Sequence, residues 1–600
     1  MRWERGNWKW AAGAAALALA LPVVAQDAPE SLLPPGFGDP APAPAPSPTP
    51  GSPAPTGASP PALAPTDVLA LTPAGADAAN AAETAMSEEE LAAEKAKYDL
   101  PDTARRSLDR IGPLTPQERG FGPDAFGSQQ GQFLATLMRE THAPLVSRWA
   151  SILLRRALLS AVDTPRGIEG ADWAAERAWM LLRMGEADGA RLMVQSVDSD
   201  RYTPRLYAIA MQTYLATADP AGFCPLAAGA RQTSKEPAWT MSEPICAALS
   251  GDQGSASGAL NQAQRRGVIR GIDYRLAEKV VGTGFNARRS VKIEWDGVDR
   301  LTAWRFGLAM ALNVEIPEPL FATVGSHVRA WEARAPALSA VRRLPGAEVA
   351  AQLGVFSSAA LVGVYGQIAT DGDAPAALSD RVDALRAAHA AGTVGARVDA
   401  MRILWGADER PSYAGLIVTA RAAAALPVAR ADAQDVTRLI AAMLSAGYDR
   451  SAANWARALG QIEGDTQDAW ALLALGAPSS VVEIGEGRVS NYIGAAGPQK
   501  GRMLLAGLAG LSRLSAQNAA ELAAENGLTL APNSRWSRAI GAAAQRGERG
   551  TVALLAAVGM QAADWGRLPP AHLYHVVAAL HRVGLDPEAR MIAAEAIARI

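Results

Sequence analysis

Several residue types and motifs are scarce in this 600-residue sequence, and each shortage argues against a kind of protein. The chain has six histidines but no HExxH pattern, and it has no GxSxG or SxxK, so metalloprotease, serine-hydrolase and penicillin-binding signatures are missing. Its formal net charge of −3 argues against a nucleic-acid-binding protein. We therefore expect no metal and no cofactor. A non-catalytic protein is favoured over an enzyme, although carboxylates that meet only in the folded chain could still cleave a glycan.

Cysteine is also scarce, with Cys224 and Cys246 as the only two. An isolated pair in an oxidising compartment is more often a disulfide than a metal site, which would need further ligands nearby. There is no CxxC spacing to indicate an oxidoreductase. We predict a disulfide that joins two short neighbouring helices, and free buried thiols are the alternative.

The first twenty-five residues (1–25) have the layout of a secretory signal peptide. Arg2, Arg5 and Lys9 supply a positive start, and an apolar run of mostly Ala, Leu and Val covers residues 10–24. This run is shorter than the roughly twenty residues that a membrane span needs. Small residues then precede a cut after residue 25. We predict a cleaved signal peptide, and a retained N-terminal anchor is the alternative.

The basic residues are almost all arginine, since seven lysines accompany fifty arginines. This ratio is typical of a GC-rich bacterial genome. An exported protein of such a bacterium is expected in the periplasm, or secreted. No later apolar run reaches a membrane-spanning length without charge, so we expect the protein not to be integral to the membrane after cleavage.

A proline-rich segment separates the predicted signal peptide from the body. Residues 26–85 contain thirteen prolines between Pro34 and Pro65, largely in alternation with alanine. Proline removes backbone donors and favours an extended chain, so this segment cannot build a packed core. We predict a disordered linker that acts as a spacer, and a PxxP-type recognition segment is the alternative.

The body, residues 86–600, is predicted to be all-α. Apolar residues recur at i, i+3, i+4 and i+7, and Gly or Pro interrupts the pattern every ten to twenty residues. Runs of Val, Ile and Thr with period two are nearly absent. The exception is residues 291–297, which could form a short extended piece. We expect a boundary between two parts of this body near residues 282–300.

Three segments of the body align on a turn glycine, at Gly185, Gly447 and Gly584. A glycine there suits the left-handed conformation that closes a helix, and an alanine further on lets a second helix approach closely. The aligned positions are a large apolar residue four before the glycine (Leu181, Met443, Leu580) and an alanine five after it (Ala190, Ala452, Ala589).

This spacing resembles the tetratricopeptide repeat (TPR), in which two helices meet at a glycine turn and a small residue follows five positions later. The later small position of that family is filled only by Ala596, the one in the first helix only by Ala178, and the closing proline is missing. The resemblance implies a degenerate TPR-like α/α superhelical solenoid. An irregular helical array that shares turn chemistry is the alternative.

One stretch, residues 288–305, combines basic and aromatic side chains in the least regular part of the body. Such side chains could grip a glycan, an anionic polymer or a partner peptide, whereas an inter-repeat linker with solvated charges is the alternative. The candidate binding residues are Arg288, Arg289, Lys292, Trp295, Arg300 and Trp304.

From the export signal and the repeat-like hairpins we predict a helical-repeat scaffold or adaptor that binds a protein or peptide partner in the bacterial cell envelope. The alternative is a peptidoglycan-associated binding protein or wall-processing accessory factor.

Overall fold

The computed structural model describes residues 101–284, 291–371, 374–408, 410–428 and 432–600. The predicted signal peptide and proline-rich linker lie outside these residues and stay predictions. The described chain is mostly helical, with twenty-seven α-helices and one pair of very short strands, so the predicted all-α class is confirmed. Within the described ranges, no helix combines the length and the apolar character that crossing a membrane requires.

Many successive helices of the described chain are joined by short turns. Their bounds are α1 Gly131–Glu140, α2 Arg148–Leu159, α3 Gly170–Arg183, α4 Ala187–Val194, α5 Pro204–Ala216, α6 Ala227–Thr233, α7 Pro237–Leu249, α8 Gln253–Arg266, α9 Gly271–Thr283, α10 Ala303–Ala311, α11 Glu318–Phe321, α12 Ser326–Glu332, α13 Ala340–Leu353, α14 Ser358–Ile368, α15 Ala376–Ala390, α16 Val394–Trp405, α17 Tyr413–Ala424, α18 Ala433–Ser445, α19 Asp449–Ala453, α20 Gln467–Gly476, α21 Glu486–Ala496, α22 Pro498–Gly510, α23 Ala516–Glu525, α24 Arg535–Gln545, α25 Arg549–Gly559, α26 Pro570–Arg582 and α27 Asp586–Arg599.

The two strands fix the start of the described chain to the helical body. Strand β1 (Arg110–Ile111) pairs antiparallel with β2 (Val162–Asp163). The buried guanidinium of Arg177 donates to the carbonyl oxygens of Ile111 at 2.9 Å and Leu158 at 2.7 Å. Burial lowers the pKa of Arg177 to about 9.

The three aligned glycines form the turns that the sequence predicts. Gly185, Gly447 and Gly584 have φ of 89°, 79° and 74°. In the first turn, the N–H of Gly185 donates to the carbonyl of Leu182, and the next N–H donates to Leu181. This pair of hydrogen bonds is the Schellman motif, which satisfies the last carbonyls of a helix. The aligned alanines are all fully buried, so the expected close approach of the second helix is confirmed.

Two further hairpins have the same turn and were missed in the sequence. At Gly251 and Gly547, φ is 87° and 76°, the first helix ends two residues earlier, and the second begins two residues later. The hairpin at Gly251 carries a small Ala247 where the pattern requires a large apolar residue. The hairpin at Gly547 carries Val552 where the pattern requires alanine. The glycine turn therefore also occurs where the aligned apolar and alanine positions are not both matched.

The second helix of the described chain is in contact with the last one. Helix α2 packs against α25 and α27, and it also touches α13. At the start of α2, the carboxylate of Glu595 accepts hydrogen bonds from the Ser147 hydroxyl at 2.6 Å and from the Arg148 N–H at 2.9 Å. A carboxylate is well placed there because the first N–H groups of a helix have no partner within it.

Buried arginines join the ends of helices that are distant in sequence. The Arg148 side chain donates to the carbonyls of Ser445 at 3.2 Å and Phe356 at 3.0 Å. Arg590 donates to Gly476 at 2.5 Å, where α20 ends. A guanidinium suits this role because it presents several donors in a fixed plane.

The predicted disulfide is confirmed. The Cys224 and Cys246 sulfurs are 2.03 Å apart, and the bond joins a 3-10 turn, Cys224–Leu226, to α7. Aromatic rings pack beside it, with Phe223 and Trp239 at 6.5 Å between centroids. The bridge therefore holds the turn before α6 against α7.

Candidate partner-binding clefts

The structure separates the six residues of the predicted basic and aromatic site. Arg288 and Arg289 lie outside the described residues. Trp304 is fully buried in α10, and its indole N–H donates to the backbone carbonyl of Asp273 at 3.1 Å. Trp304 is therefore a core residue, and its ring presents no face to a ligand. Sequence periodicity did not reveal this, because α10 begins immediately after the irregular stretch.

Lys292, Trp295 and Arg300 lie in the non-helical stretch. The Lys292 side chain is 82% exposed, and its ammonium is 3.0 Å from the Glu294 carboxylate, which raises the pKa of Lys292. Trp295 is half-buried against the core. The half-buried Arg300 offers its backbone carbonyl to the Arg305 guanidinium at 2.6 Å.

Residues 291–296, which we name the extended segment, alternate between the body and solvent. Val291, Ile293 and Trp295 are half-buried, whereas the residues between them are exposed. A turn ends the segment, where the N–H of Val298 donates to the carbonyl of Trp295 at 3.1 Å. The period of two is typical of an extended chain, as predicted for these residues, although no strand is assigned to them and they pair with none in the described part of the chain.

A surface cleft of about 480 Å³, the α9 cleft, lies between the extended segment and α9. Helix α9 contributes Ile272 and Arg275, and the segment contributes Lys292, Glu294 and Asp296 among others. Two cations therefore face two carboxylates. The described part of this site is charge-balanced rather than basic.

A second cleft, of about 570 Å³, lies where the start of the described chain crosses the α4–α5 connection. We name it the tyrosine cleft. The side chains that characterise it are two arginines, two aspartates and two tyrosines: Arg105, Arg106, Asp198, Asp200, Tyr202 and Tyr214. Leu226, from the turn held by the disulfide, also lines it. The disulfide thus fixes one wall of the cleft.

Ion pairs cross the tyrosine cleft. The Arg105 guanidinium lies 3.0 Å from the Asp200 carboxylate, and that of Arg106 lies 3.8 Å from Asp198. The backbone N–H of Arg106 also donates to Asp198 at 2.9 Å. These contacts hold the start of the described chain over the α4–α5 connection and leave the Arg106 side chain 57% exposed.

The tyrosines are held by hydrogen bonds and ring contacts. The Tyr202 hydroxyl donates to the carbonyl of Val194 at 2.6 Å, and its ring is 5.2 Å from that of Tyr207. Burial raises the pKa of Tyr202, so this hydroxyl stays protonated and remains a donor. The Tyr214 hydroxyl accepts from the Gln195 amide at 3.4 Å. The cleft is therefore preorganised.

No sequence signal identified the tyrosine cleft. Its arginines and tyrosines are about a hundred residues apart, and they meet only because the first residues of the body fold back over the α4–α5 connection. No short motif contains them.

Groups of three or more His, Cys, Asp or Glu side chains that could hold a metal are absent from the described residues. In sequence, residues 282–287 fit the dinucleotide-binding fingerprint GxGxxG/A, which requires a strand before it. The pattern begins inside α9, so a helix precedes it instead. Comparison of the chain with protein-family models, with curated proteins and with solved structures found no match.

Proposed function

We propose that this protein is an exported, non-catalytic helical scaffold that binds a protein or peptide partner in the bacterial envelope, with the tyrosine cleft as the partner site. The observation that carries the proposal is the chemistry of this cleft. Tyr and Arg are the residue types that most often anchor protein partners, together with Trp. A volume of about 570 Å³ is within the usual range for a ligand site.

The electrostatics of the cleft favour a peptide with charged side chains. The ion pairs formed by Arg105 and Arg106 are partly exposed, and such pairs contribute little to folding stability. A partner carboxylate can therefore replace the exposed Asp200 at small cost, whereas the nearly buried Asp198 stays in place as the acceptor of the Arg106 backbone N–H. The half-buried ring of Tyr202 supplies apolar contact area without a further loss of side-chain freedom, and the buried Tyr214 supports the wall of the cleft behind it.

A degenerate TPR-like superhelix is the architecture that we propose for the body. Five hairpins with one turn geometry support it. The body departs from a regular repeat array in one respect. In such an array each repeat contacts only its neighbours, whereas the contacts of α2 with α25 and α27 bring the two ends together. The disulfide is consistent with the proposed oxidising compartment.

The proposal is tested by crosslinking in intact cells with tagged full-length chain, followed by mass spectrometry. Arg106→Glu should remove the crosslinked partner, because it reverses the more exposed of the two positive charges of the cleft. Arg386→Glu is a matched control, since Arg386 is 63% exposed in an ion pair on α15, which packs against α14, α16 and α17. If Arg106→Glu retains every partner of the wild type, the tyrosine cleft is not the partner site.

Peptidoglycan is the alternative ligand. Sedimentation with purified sacculi separates the two, because a wall-binding protein pellets with sacculi whereas a protein-binding scaffold stays in the supernatant.

A further inference from the structure

The extended segment carries backbone groups that the described residues leave unused. Within the described ranges, the N–H and C=O groups of Lys292, Ile293 and Glu294 have no hydrogen-bond partner. The carbonyl of Val291 instead accepts from the Lys279 ammonium of α9 at 2.8 Å. An extended chain with a row of unpaired backbone groups is a template for a further strand.

The sequence of the segment is complementary to itself. When two copies of VKIEW run antiparallel and cross at Ile293, Lys292 of each copy lies opposite Glu294 of the other. Val291 then lies opposite Trp295, which is an apolar pair. Both charged side chains are exposed, at 82% and 63%, so both are available to a second strand.

The backbone pattern agrees with the same crossing point. Successive residues of a strand direct their N–H and C=O groups to opposite edges. Because Val291 directs its carbonyl towards α9, the groups of Lys292 and Glu294 are presented at the other edge. In the antiparallel arrangement these two residues exchange both hydrogen bonds with their counterparts, which gives four backbone bonds across the pair.

We propose that the extended segment pairs with the same segment of a second copy of this chain and so forms a two-fold symmetric dimer. A two-fold interface uses one patch on both subunits and must be self-complementary, and the charge order Lys-Ile-Glu meets that requirement. The inference goes beyond the partner-binding function, because it uses a different surface from the tyrosine cleft.

The dimer is expected to be weak and dependent on concentration. Five paired residues cover far less than the roughly 1,200–2,000 Å² of a stable interface. Opposed charges make its formation sensitive to salt, because both members are exposed.

Sedimentation equilibrium of the purified chain, over a broad concentration range, tests the proposal. Lys292→Glu places like charges opposite each other in the dimer, and so does Glu294→Lys. We expect the association constant of each variant alone to be lower than that of the wild type by about ten-fold or more. An equimolar mixture should recover wild-type association, because the new acid of one variant then faces the new base of the other. Arg386→Glu should associate like the wild type.

Three results would each overturn the proposal. The wild type could stay monomeric throughout the range, in which case the segment is free or pairs with a strand of another protein. Either variant alone could associate like the wild type, or the mixture could fail to recover. Circular dichroism checks that both variants are folded. Because the variants leave the tyrosine cleft unchanged, a monomeric result would not affect the proposed partner capture, which the Arg106→Glu experiment tests separately.

Discussion

Replacing Glu595 by alanine removes the carboxylate through which the last helix holds the first helices of the body. Glu595 is almost fully buried on α27. It accepts from the Ser147 hydroxyl at 2.6 Å and from the N–H groups of Arg148 and Trp149 at 2.9 and 3.2 Å. It also accepts from Arg599 at 2.8 Å. The substitution therefore leaves four donors without their acceptor.

The magnitude follows from these contacts. Removing one partner of a buried ion pair costs about 3–5 kcal/mol, because the other charge is left uncompensated. The half-buried Arg599 also donates to the carbonyl of Val146 at 2.8 Å, which offsets part of that cost. Loss of the acceptor for the first N–H groups of α2 adds about 1 kcal/mol. We expect the free energy of unfolding to fall by about 3–4 kcal/mol for Glu595→Ala. Glu595→Gln keeps the shape and should cost about 1–2 kcal/mol.

Urea denaturation followed by circular dichroism measures the change. The matched control is Glu521→Ala, which removes an exposed carboxylate from α23 and should change stability by less than about 0.5 kcal/mol. If the free energy of unfolding of Glu595→Ala lay within about 1 kcal/mol of the wild-type value, the contact between α27 and the start of α2 would not stabilise the body.

Three further outcomes are expected. Burial raises the pKa of Glu186 to about 7, so folded protein holds a proton that unfolded chain releases near pH 4.5. The free energy of unfolding should therefore fall as pH rises from about 4.5 to about 7. In Glu186→Gln this fall should be smaller by up to roughly 3 kcal/mol, as urea denaturation at a series of pH values measures. Gly447→Ala should cost about 1–2 kcal/mol in urea unfolding, because φ is 79° and a Cβ would lie 3.3 Å from the Trp149 ring. Replacing Cys224 and Cys246 together by serine should cost about 3 kcal/mol, because the bridge closes a loop between residues 22 apart, and calorimetry measures it as a lower Tm.

Each of these outcomes has a result that contradicts it. A Glu186→Gln profile parallel to the wild type would mean that the buried carboxylate stays ionised in the ion pair with Arg155. For the glycine, Gly460→Ala is the control, since φ is not positive at Gly460 and a Cβ there would have no atom within 4 Å. Equal stability of the two variants would remove the argument from backbone conformation. An unchanged Tm without the disulfide would show that packing alone orders the turn.

The hairpins could be predicted from the sequence because their cause is local. A helix that ends in the left-handed conformation needs glycine at one position, so Gly185, Gly447 and Gly584 mark their own turns. The disulfide could also be predicted, since a single pair of cysteines in the oxidising compartment that we propose favours a bridge. The turns at Gly251 and Gly547 escaped because the flanking side chains differ while the backbone requirement is the same.

The tyrosine cleft and the burial of Trp304 could not be predicted, because both depend on which helices meet. Trp304 follows a charged stretch, and its burial comes from the packing of α10 against α5 and α9. The cleft requires Arg106 to reach Asp198 across ninety-two residues of sequence. Periodicity shows which face of a helix is apolar, but it does not show which other helix covers that face.

The role of arginine shows how composition and structure can have separate causes. The GC-rich genome that we expect from the sequence would account for the excess of arginine over lysine, and several helix ends of the fold depend on these arginines. Arg513 donates to the carbonyls of Ala474 and Ala477 at the end of α20, and Arg590 donates to Gly476 at the same end. A lysine ammonium is a single compact donor centre and does not present the planar fork that spans two carbonyls. Burial lowers the pKa of Arg513 to about 10, a loss that an arginine tolerates without losing its charge near neutral pH. A lysine starts from a lower pKa and would lose more of its charge in the same place. An arginine-rich sequence can therefore use buried cations to close helix ends where a lysine-rich one would need other groups.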